Sequence, residues 1–260
     1  MDRTYWQKQI AEPLYPDILW SRPEFKAGAG KLLIIGGNQH GFGAPGQAYA
    51  VAEDAGAGVI RVLLPDAIQK TVKGLLPDAD FAPSTPSGSF SRKALGELQD
   101  LSMWSDTCLL IGDFGRNSET AILLESFVET YKGPLVVTQD AADYFRETPK
   151  QLIHRDNTVL VVSLSQLQKI FINTPFITPI TLGMNTLQLV EALHAFTSKY
   201  PAAILTVHNG FVFCGHDGRV STTKTNQQIW RVDTSARASV FLMQNPSKPF
   251  ESITTALLRD

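Results

Sequence analysis

The sequence predicts an α/β fold with a mostly parallel central sheet and helices on both faces. Short continuous apolar runs recur along the chain, and each ends in glycine or polar residues, as strands buried on both faces do. Stretches with helical periodicity lie between these runs. The 260 residues suffice for one large domain, and we find neither an internal repeat nor a convincing linker. We therefore predict a single domain over residues 1–260.

The elements are predicted in chain order. Residues 1–30 are rich in Pro, Trp and Tyr without clear periodicity, and we expect an N-terminal arm that packs on the body. KLLIIGG over residues 31–37 is the first predicted strand, and residues 44–55 form the first predicted helix. Later helices are expected over residues 119–131 and 184–200. The further predicted strands are GVIRVLLP, TCLLIGDFG, PLVVTQD, TVLVVSL and AAILTVHNG.

A late hairpin is predicted where the pattern changes. GFVFCGHDGRVST contains two short β-rich runs that flank His216, Asp217 and Gly218. Asp-Gly between two such runs is a strong signal for a two-residue hairpin turn. The sheet is therefore expected to gain antiparallel strands near its end, with Asp217 as a turn residue.

Composition excludes several classes of function. The net charge of −2 gives no bulk electrostatic attraction for nucleic acid. Cys108 and Cys214 lie in apolar runs, so we expect buried free thiols, and no Cys/His cluster has the spacing of a metal site. The N-terminus lacks a basic flank followed by an apolar stretch, and no apolar run could cross a bilayer. We predict a cytoplasmic protein with no nucleic-acid or membrane partner and no metal-ligating residues.

The segment after the first strand is the strongest functional signal. Five glycines fall between positions 36 and 46, directly before a predicted helix. Glycines let a backbone approach a ligand closely, and the helix N-terminus favours an anion or polar group. The segment is neither a Walker A loop nor a Rossmann fingerprint, because the Gly-Lys-Ser/Thr ending and the G-x-G-x-x-G spacing are missing. A tight strand-to-helix corner without a ligand is the alternative.

KAGAGKLLIIGGNQHGFGAPGQAYAVAEDAGAGVIRVLLP resembles the opening of the ADP/ATP-dependent NAD(P)H-hydrate dehydratases, ribokinase-like proteins that repair hydrated nicotinamide cofactors. Weaker similarity continues through IGDFGR and PLVVTQDAADYF. The resemblance implies a ribokinase-like three-layer αβα sandwich with a late antiparallel hairpin. The residues that match the family pattern are Lys26, Gly30, Gly36, Gly37, Gly43, Ala44, Pro45, Gly56, Ala57 and Gly58.

The resemblance also implies site residues. His208, Asn209 and Gly210 would line the nucleotide side, although capping of a strand end is an alternative. Asp140 would face the substrate, and it could also cap the helix that follows. The residues implied to bind substrate are Gly37, Asn38, Gly43, Ala44, Pro45, Gly115, Asp140 and Ser163.

Three departures from the family pattern concern the chemistry. Ser163 and Gln166 stand where the family has His and Glu, and the lysine of its Leu-Lys-Gly is absent near His208. The family's Gly-Thr-Gly-Asp loop, which supplies an anion hole and a base, has its counterpart in Thr234, Ser235, Ala236 and Arg237. These four residues are predicted to hold the nucleotide, with Arg237 as a phosphate contact. Arginine cannot act as a base at neutral pH, so Asp233 is the candidate base.

The sequence therefore supports hypotheses of different classes. In the first, the protein uses ATP or ADP, with Mg²⁺, to dehydrate hydrated NADH or NADPH. In the second, it is a non-catalytic relative that binds a nucleotide or dinucleotide after loss of the Gly-Thr-Gly-Asp base and anion hole. A small-molecule kinase of the same fold is a further alternative. The resemblance implies a homo-oligomer in each case.

Overall fold

A computed structural model describes residues 3–76, 79–225 and 230–258. Within these ranges the chain forms ten strands that join in one sheet. The strands are β1 (Trp6–Gln9), β2 (Lys31–Gly36), β3 (Val59–Pro65), β4 (Ala79–Ala82), β5 (Thr107–Gly112), β6 (Leu135–Thr138), β7 (Thr158–Val161), β8 (Ala203–His208), β9 (Phe211–His216) and β10 (Arg219–Lys224).

The same described ranges contain eleven α-helices. They are α1 (Pro16–Trp20), α2 (Gly43–Asp54), α3 (Gln69–Val72), α4 (Leu95–Trp104), α5 (Ser118–Thr130), α6 (Gln139–Tyr144), α7 (Lys150–Ile153), α8 (Leu164–Ile172), α9 (Thr186–Thr197), α10 (Arg231–Gln244) and α11 (Pro249–Ala256).

The sheet has the strand order β1-β10-β9-β8-β7-β6-β5-β2-β3-β4. From β4 to β8 in this order, all neighbouring strands pair in parallel. Strand β9 is antiparallel to both of its neighbours, β8 and β10. The carboxyl ends of β2, β5, β6 and β7 therefore meet at one edge of the sheet. In an open parallel sheet this edge is where ligands bind.

Side chains alternate between two cores on opposite faces of the sheet. On β2, Leu33 and Ile35 pack into the core that contains α5, α8 and α9, and Leu32 and Ile34 pack into the core that contains α2, α10 and α11. All four side chains have no exposed surface, as expected of a parallel strand covered on both faces. The predicted three-layer α/β architecture is confirmed.

The N-terminal segment joins the sheet itself. Strand β1 pairs in parallel with β10, and Gln9 Nε2 donates to the backbone oxygen of Thr254 at 2.6 Å. On α1, Ile18 is fully buried against Phe241 and Ala256. The sequence predicts an arm here but not a strand, because four residues at a sheet edge give too short a pattern to identify.

Two tight hairpins build the antiparallel part of the sheet. Asp217 and Gly218 join β9 to β10 with φ values of 49° and 68°, and the positive values fit a type I′ turn. This hairpin confirms the prediction made from Asp-Gly. Asn209 and Gly210 form a second such turn between β8 and β9, with φ values of 47° and 76°. The Asn-Gly signal was available in the sequence, but the resemblance had assigned these residues to a nucleotide.

Both cysteines are free and buried, as predicted. Burial raises the pKa of the Cys108 thiol to about 11 and that of Cys214 to about 12, so neither is a reactive thiolate at neutral pH. Among the described helices, none combines the length and hydropathy needed to cross a bilayer.

Candidate functional site

The glycine-rich segment begins where two backbones touch. Gly36, at the end of β2, lies so close to Gly112 on β5 that a side chain at position 36 would clash with the Gly112 carbonyl oxygen and come within 2.7 Å of Ile111 Cγ2. The amide of Gly37 donates to the same carbonyl at 2.9 Å. Glycine is therefore required at position 36 by close approach, and the loop that follows is held against the end of β5.

Asp113 ties this loop to the start of α2. Its backbone has a φ of 59°, in the left-handed region, which directs its carboxylate back toward the loop. Asp113 Oδ2 accepts a hydrogen bond from the amide of Ala44 at 2.8 Å, and its carbonyl accepts from Asn38 Nδ2 at 2.5 Å. Of the predicted substrate residues, Asn38 and Ala44 are thus brought together, with Gly43 and Pro45 beside Ala44 in the first turn of α2.

Asp140 connects the end of β6 to the loop after β5. It lies in the first turn of α6, and its Oδ2 accepts from the amide of Gly115 at 3.0 Å. Burial raises the pKa of this carboxyl, the amides of Gly115 and Phe114 act in the opposite direction, and the charge of Asp113 adds to the rise. Thr138 is the N-cap residue of α6, so the alternative that Asp140 caps this helix is wrong.

Ser163 and Gln166 form the start of α8. The Ser163 side chain and the Gln166 side chain make a reciprocal capping box at the helix N-terminus. Gln166 is only 8% exposed, and its Nε2 also donates to the carbonyl of Gln139 at 2.8 Å. Its Oε1 accepts from Arg231 Nη1 at 3.0 Å. One buried amide therefore links the ends of β6 and β7 to the start of α10.

Sequence reasoning missed Arg231. A positive side chain in the first turn of a helix is electrostatically unfavourable, because the helix N-terminus already carries partial positive charge. This unfavourable position of Arg231 can be recognised only when the first residue of the helix is known. Because the sequence predicts a loop at residues 234–237, Arg231 was not expected to begin a helix.

The predicted loop at residues 234–237 is wrong, because these residues lie inside α10. The amide of Thr234 donates to the Trp230 carbonyl at 2.8 Å, so the helical bonding already includes Thr234. Ser235 and Ala236 have no exposed surface, and Ser235 Oγ donates to the Val232 carbonyl at 2.9 Å. The side chains of these two residues are therefore not accessible to the nucleotide that they were expected to bind. The helix extends this far because no glycine interrupts it.

Arg237 reaches the end of the neighbouring helix. Its Nε and Nη2 donate to the carbonyls of Ala256 and Leu258, each at 3.1 Å, at the C-terminus of α11. Cations are favourable at a helix C-terminus because the last carbonyls carry partial negative charge. The side chain from which we expect a phosphate contact is thus already used to stabilise the end of α11.

A cavity of about 290 Å³ lies between the start of α10 and the ends of β10 and α11. Asp233, in the first turn of α10, lines this cavity. Lys224 and Arg237 bring positive charge to its wall, and Thr234 contributes a hydroxyl side chain. The cavity therefore combines one carboxylate with two cations at the same edge of the sheet as the glycine-rich segment. The other lining residues are Ile10, Val212, Thr223, Thr225, Ala256, Leu257 and Leu258.

Of the remaining predicted nucleotide residues, the Asn209–Gly210 turn adjoins this cavity, whereas the side chain of His208 is directed to Met184, which packs in the core on the opposite face of the sheet from α10. His208 ends β8, and one of its ring nitrogens, Nε2, is 2.6 Å from the carbonyl oxygen of Met184. The carbonyl of Gly210 accepts from the amide of Thr225 at 2.9 Å, which places the Asn209–Gly210 turn next to the cavity wall. Over residues 3–76, 79–225 and 230–258, no cluster of three or more His, Cys, Asp or Glu side chains could hold a metal ion.

Comparison with known proteins gives matches in sequence to two curated relatives, and no family model matches the chain. Both relatives are bifunctional NAD(P)H-hydrate repair enzymes. The one from Methanothermobacter thermautotrophicus is 30% identical over 115 residues, and the one from Salinibacter ruber is 31% identical over 119 residues. These stretches cover 43% and 45% of this chain, and each covers 22% of the relative's own length.

Solved structures match over nearly the whole chain. A ribokinase-like superfamily protein from Enterococcus faecalis superposes with a TM-score of 0.76 at 17% identity, covering 99% of this chain and 86% of that protein. The chain therefore shares the α/β fold of this ribokinase-like structure, and part of its sequence is similar to NAD(P)H-hydrate repair enzymes. An ADP/ATP-dependent NAD(P)H-hydrate dehydratase from Bacillus subtilis, co-crystallised with ATP and Mg²⁺, matches with a TM-score of 0.62 at 16% identity over 94% of this chain and 86% of its own. The resemblance predicted from the glycine-rich segment is confirmed.

Replacing Gly112 should lower the stability of the folded protein. Gly112 has a φ of 115°, and an added Cβ would lie 2.5 Å from Gln139 Cβ. We expect Gly112→Ala to lower the free energy of unfolding by about 3 kcal/mol, as left-handed strain and a steric clash combine. Gly96→Ala on α4 is the matched control, because its Cβ would meet nothing within 4 Å. Urea denaturation measures the unfolding free energy of both variants. Equal unfolding free energies for Gly112→Ala and Gly96→Ala would contradict the packing assigned to Gly112.

The raised pKa of Asp140 predicts a pH-dependent stability difference. A carboxyl whose pKa is higher in the folded state favours folding while it is protonated, and this contribution is lost as the pH rises through the folded-state pKa. Asp140→Asn cannot titrate, so its unfolding free energy relative to the wild type should increase from pH 4 to pH 7. Chemical denaturation at a series of pH values measures this difference. A difference that decreases with pH would show that Asp140 is stabilised as the carboxylate.

Proposed function

We propose that this protein is a diverged NAD(P)H-hydrate dehydratase-like enzyme that uses ATP or ADP to dehydrate hydrated NADH or NADPH. The observation that carries the proposal is the position of Asp233, which lines the cavity at the start of α10 together with Lys224 and Arg237. A carboxylate and two cations at one cavity are the groups that phosphoryl transfer needs. The Bacillus subtilis neighbour of the same fold, crystallised with ATP and Mg²⁺, supports a nucleotide as the ligand.

The proposed reaction begins at the hydroxyl group of the hydrated cofactor. Asp233 removes the hydroxyl proton as the oxygen attacks the terminal phosphorus of the nucleotide, and the bond to the departing nucleotide breaks. Lys224 and Arg237 stabilise the negative charge on the phosphoryl oxygens. The C–O bond then breaks, its electron pair leaves with phosphate, and loss of a ring proton restores the dihydronicotinamide. Any Mg²⁺ would be held mainly by the phosphates of the nucleotide, where it would neutralise part of their charge.

The acceptor would occupy the neighbouring strand ends at the same edge of the sheet. Asn38, Gly115 and Asp140 lie at the carboxyl ends of β2, β5 and β6, and β5 lies between β2 and β6 in the sheet. Their backbone and side-chain groups can hydrogen-bond a polar ligand such as a dinucleotide. Ser163 lies at the next strand end, β7, where its hydroxyl already serves the capping box. The homo-oligomeric state and the cytoplasmic location stay predictions.

One observation favours a second candidate, a non-catalytic relative that binds a nucleotide or dinucleotide. Helix α10 contains no glycine, so it lacks the family's glycine-lined anion hole, and Arg237 is bonded to carbonyls of α11. A small-molecule kinase of the same fold is the third candidate. It would use the same cavity, but the phosphoryl group would stay on the acceptor.

The deciding experiment is an assay with NADH hydrate and ATP or ADP that follows both phosphate release and NADH formation. We expect turnover by the wild type and a loss of about 100-fold or more in kcat for Asp233→Asn, because amides cannot accept the proton. ATP should still raise the melting temperature of this variant, since the cations remain. Asp217→Asn is the matched control, because Asn is tolerated in the left-handed conformation of that turn and activity should be unchanged.

The outcomes separate the candidates. A thermal shift with ATP but no turnover at high protein concentration would contradict the enzyme and support the binding-only relative. A phosphorylated acceptor detected by mass spectrometry, without NADH, would indicate a kinase. Failure of ATP, ADP, AMP and NAD to change the melting temperature would overturn the proposal as a whole.

A further inference from the structure

Arg231 is placed where a cation is unfavourable unless it has a partner. It is the first residue of α10 and is half-buried. Burial lowers the pKa of its guanidinium, while Asp143 and Asp140 act in the opposite direction from a distance. The adjacent helix N-terminus also disfavours positive charge. Such a position is costly in the folded protein without a compensating group.

The contact that holds Arg231 is a neutral amide. Nη1 donates to Gln166 Oε1 at 3.0 Å. The orientation of that amide is fixed, because Gln166 Nε2 donates to the carbonyl of Gln139 and Oε1 also accepts from the amide of Ser163 at 3.0 Å. Gln166 thus holds the guanidinium in place without neutralising it.

Other half-buried arginines of the chain are compensated. Arg61 and Arg219 each form two hydrogen bonds with a carboxylate, Asp80 and Glu251 respectively. Arg155 donates to three backbone carbonyls. In the part of the chain that the structure describes, no carboxylate oxygen lies within 4.0 Å of the Arg231 guanidinium. Its charge is therefore left available to a ligand.

We propose that Arg231 binds a phosphate group of the ligand and that Gln166 is the residue that positions it. The proposal rests on the proposed function for the class of ligand, a nucleotide or dinucleotide. Arg231 begins α10, the helix that carries Asp233, and it contacts Gln166. It therefore lies between the cavity lined by Asp233 and the strand ends at Asp140 and Gln166. A guanidinium is suited to phosphate because its planar donors match the phosphate oxygens.

Two sources could supply this phosphate. The terminal phosphates of a nucleotide would extend from the cavity toward the start of α10, and the diphosphate of a dinucleotide would lie across the strand ends. Asp143 and Asp140 are the carboxylates whose negative charges act on Arg231. The Asp140 carboxylate is directed to the amide of Gly115.

The test measures the affinity of wild type and Arg231→Gln for ATP, AMP, NADH and nicotinamide riboside by isothermal titration calorimetry. We expect Arg231→Gln to weaken the ligand whose phosphate it contacts by about 10-fold or more, because a charge-assisted hydrogen bond is lost. Arg231→Lys should restore part of this affinity, since it keeps the charge but not the planar fork. Arg146→Gln is the matched control, because it removes one positive charge from an exposed arginine that pairs with Glu147.

A loss confined to ATP, with AMP unchanged, supports contact with the terminal phosphates. A loss on NADH, with nicotinamide riboside unchanged, supports contact with the diphosphate. Equal affinities of wild type and Arg231→Gln for every probe that binds would overturn the role of Arg231 and leave the proposed function standing. A wild type that binds none of the four probes would overturn both. Melting temperatures without ligand check that each variant is folded.

Discussion

The contact between Gly36 and Gly112 is the constraint on which the rest of the site depends. The two strands β2 and β5 approach so closely there that a Cβ at position 36 would clash with the Gly112 carbonyl oxygen, and a Cβ at position 112 would clash with Gln139 beyond β6. This approach places the carbonyl of Gly112 against the amide of Gly37 and brings Asp113 next to the start of α2. A larger residue at position 36 would separate the two loops, and the hydrogen bonds of Asp113 to Asn38 and Ala44 could not both form.

From this contact a polar network extends across the strand ends. Asp113 holds the loop after β2, Asp140 holds the loop after β5, and Gln166 joins the ends of β6 and β7 to Arg231. The first three connections join the segments that follow neighbouring strands of the parallel sheet, and the last joins Gln166 to helix α10. The cavity at Asp233 lies beyond the last of them, at the other side of α10. The glycine-rich segment and the late helix are therefore parts of one edge, although about 200 residues separate them in the chain.

The fold was largely predictable because its elements are encoded locally. KLLIIGG predicts β2 since an apolar run stopped by glycine describes a strand buried on both faces, and Asp217-Gly218 predicts a hairpin turn from two residues alone. The start of α10 was not predictable in the same way. Its first turn, Arg231 to Asp233, has no capping side chain and places a cation at the N-terminus, so local signals point to a later start. Gln166 and Arg231 meet only through tertiary packing, which periodicity does not reveal.

Ligand binding at the carboxyl edge of the sheet can be tested directly. A second cavity, of about 430 Å³, lies at the opposite edge between Asn157, Lys199 and His216, so the two edges can be compared in one experiment. Hydrogen–deuterium exchange with and without ATP measures which edge is protected. We expect ATP to protect peptides covering residues 36–46, 112–117 and 231–238, and to leave residues 197–203 unprotected. Protection confined to residues 197–203 and 214–218 would contradict ligand binding at the carboxyl edge.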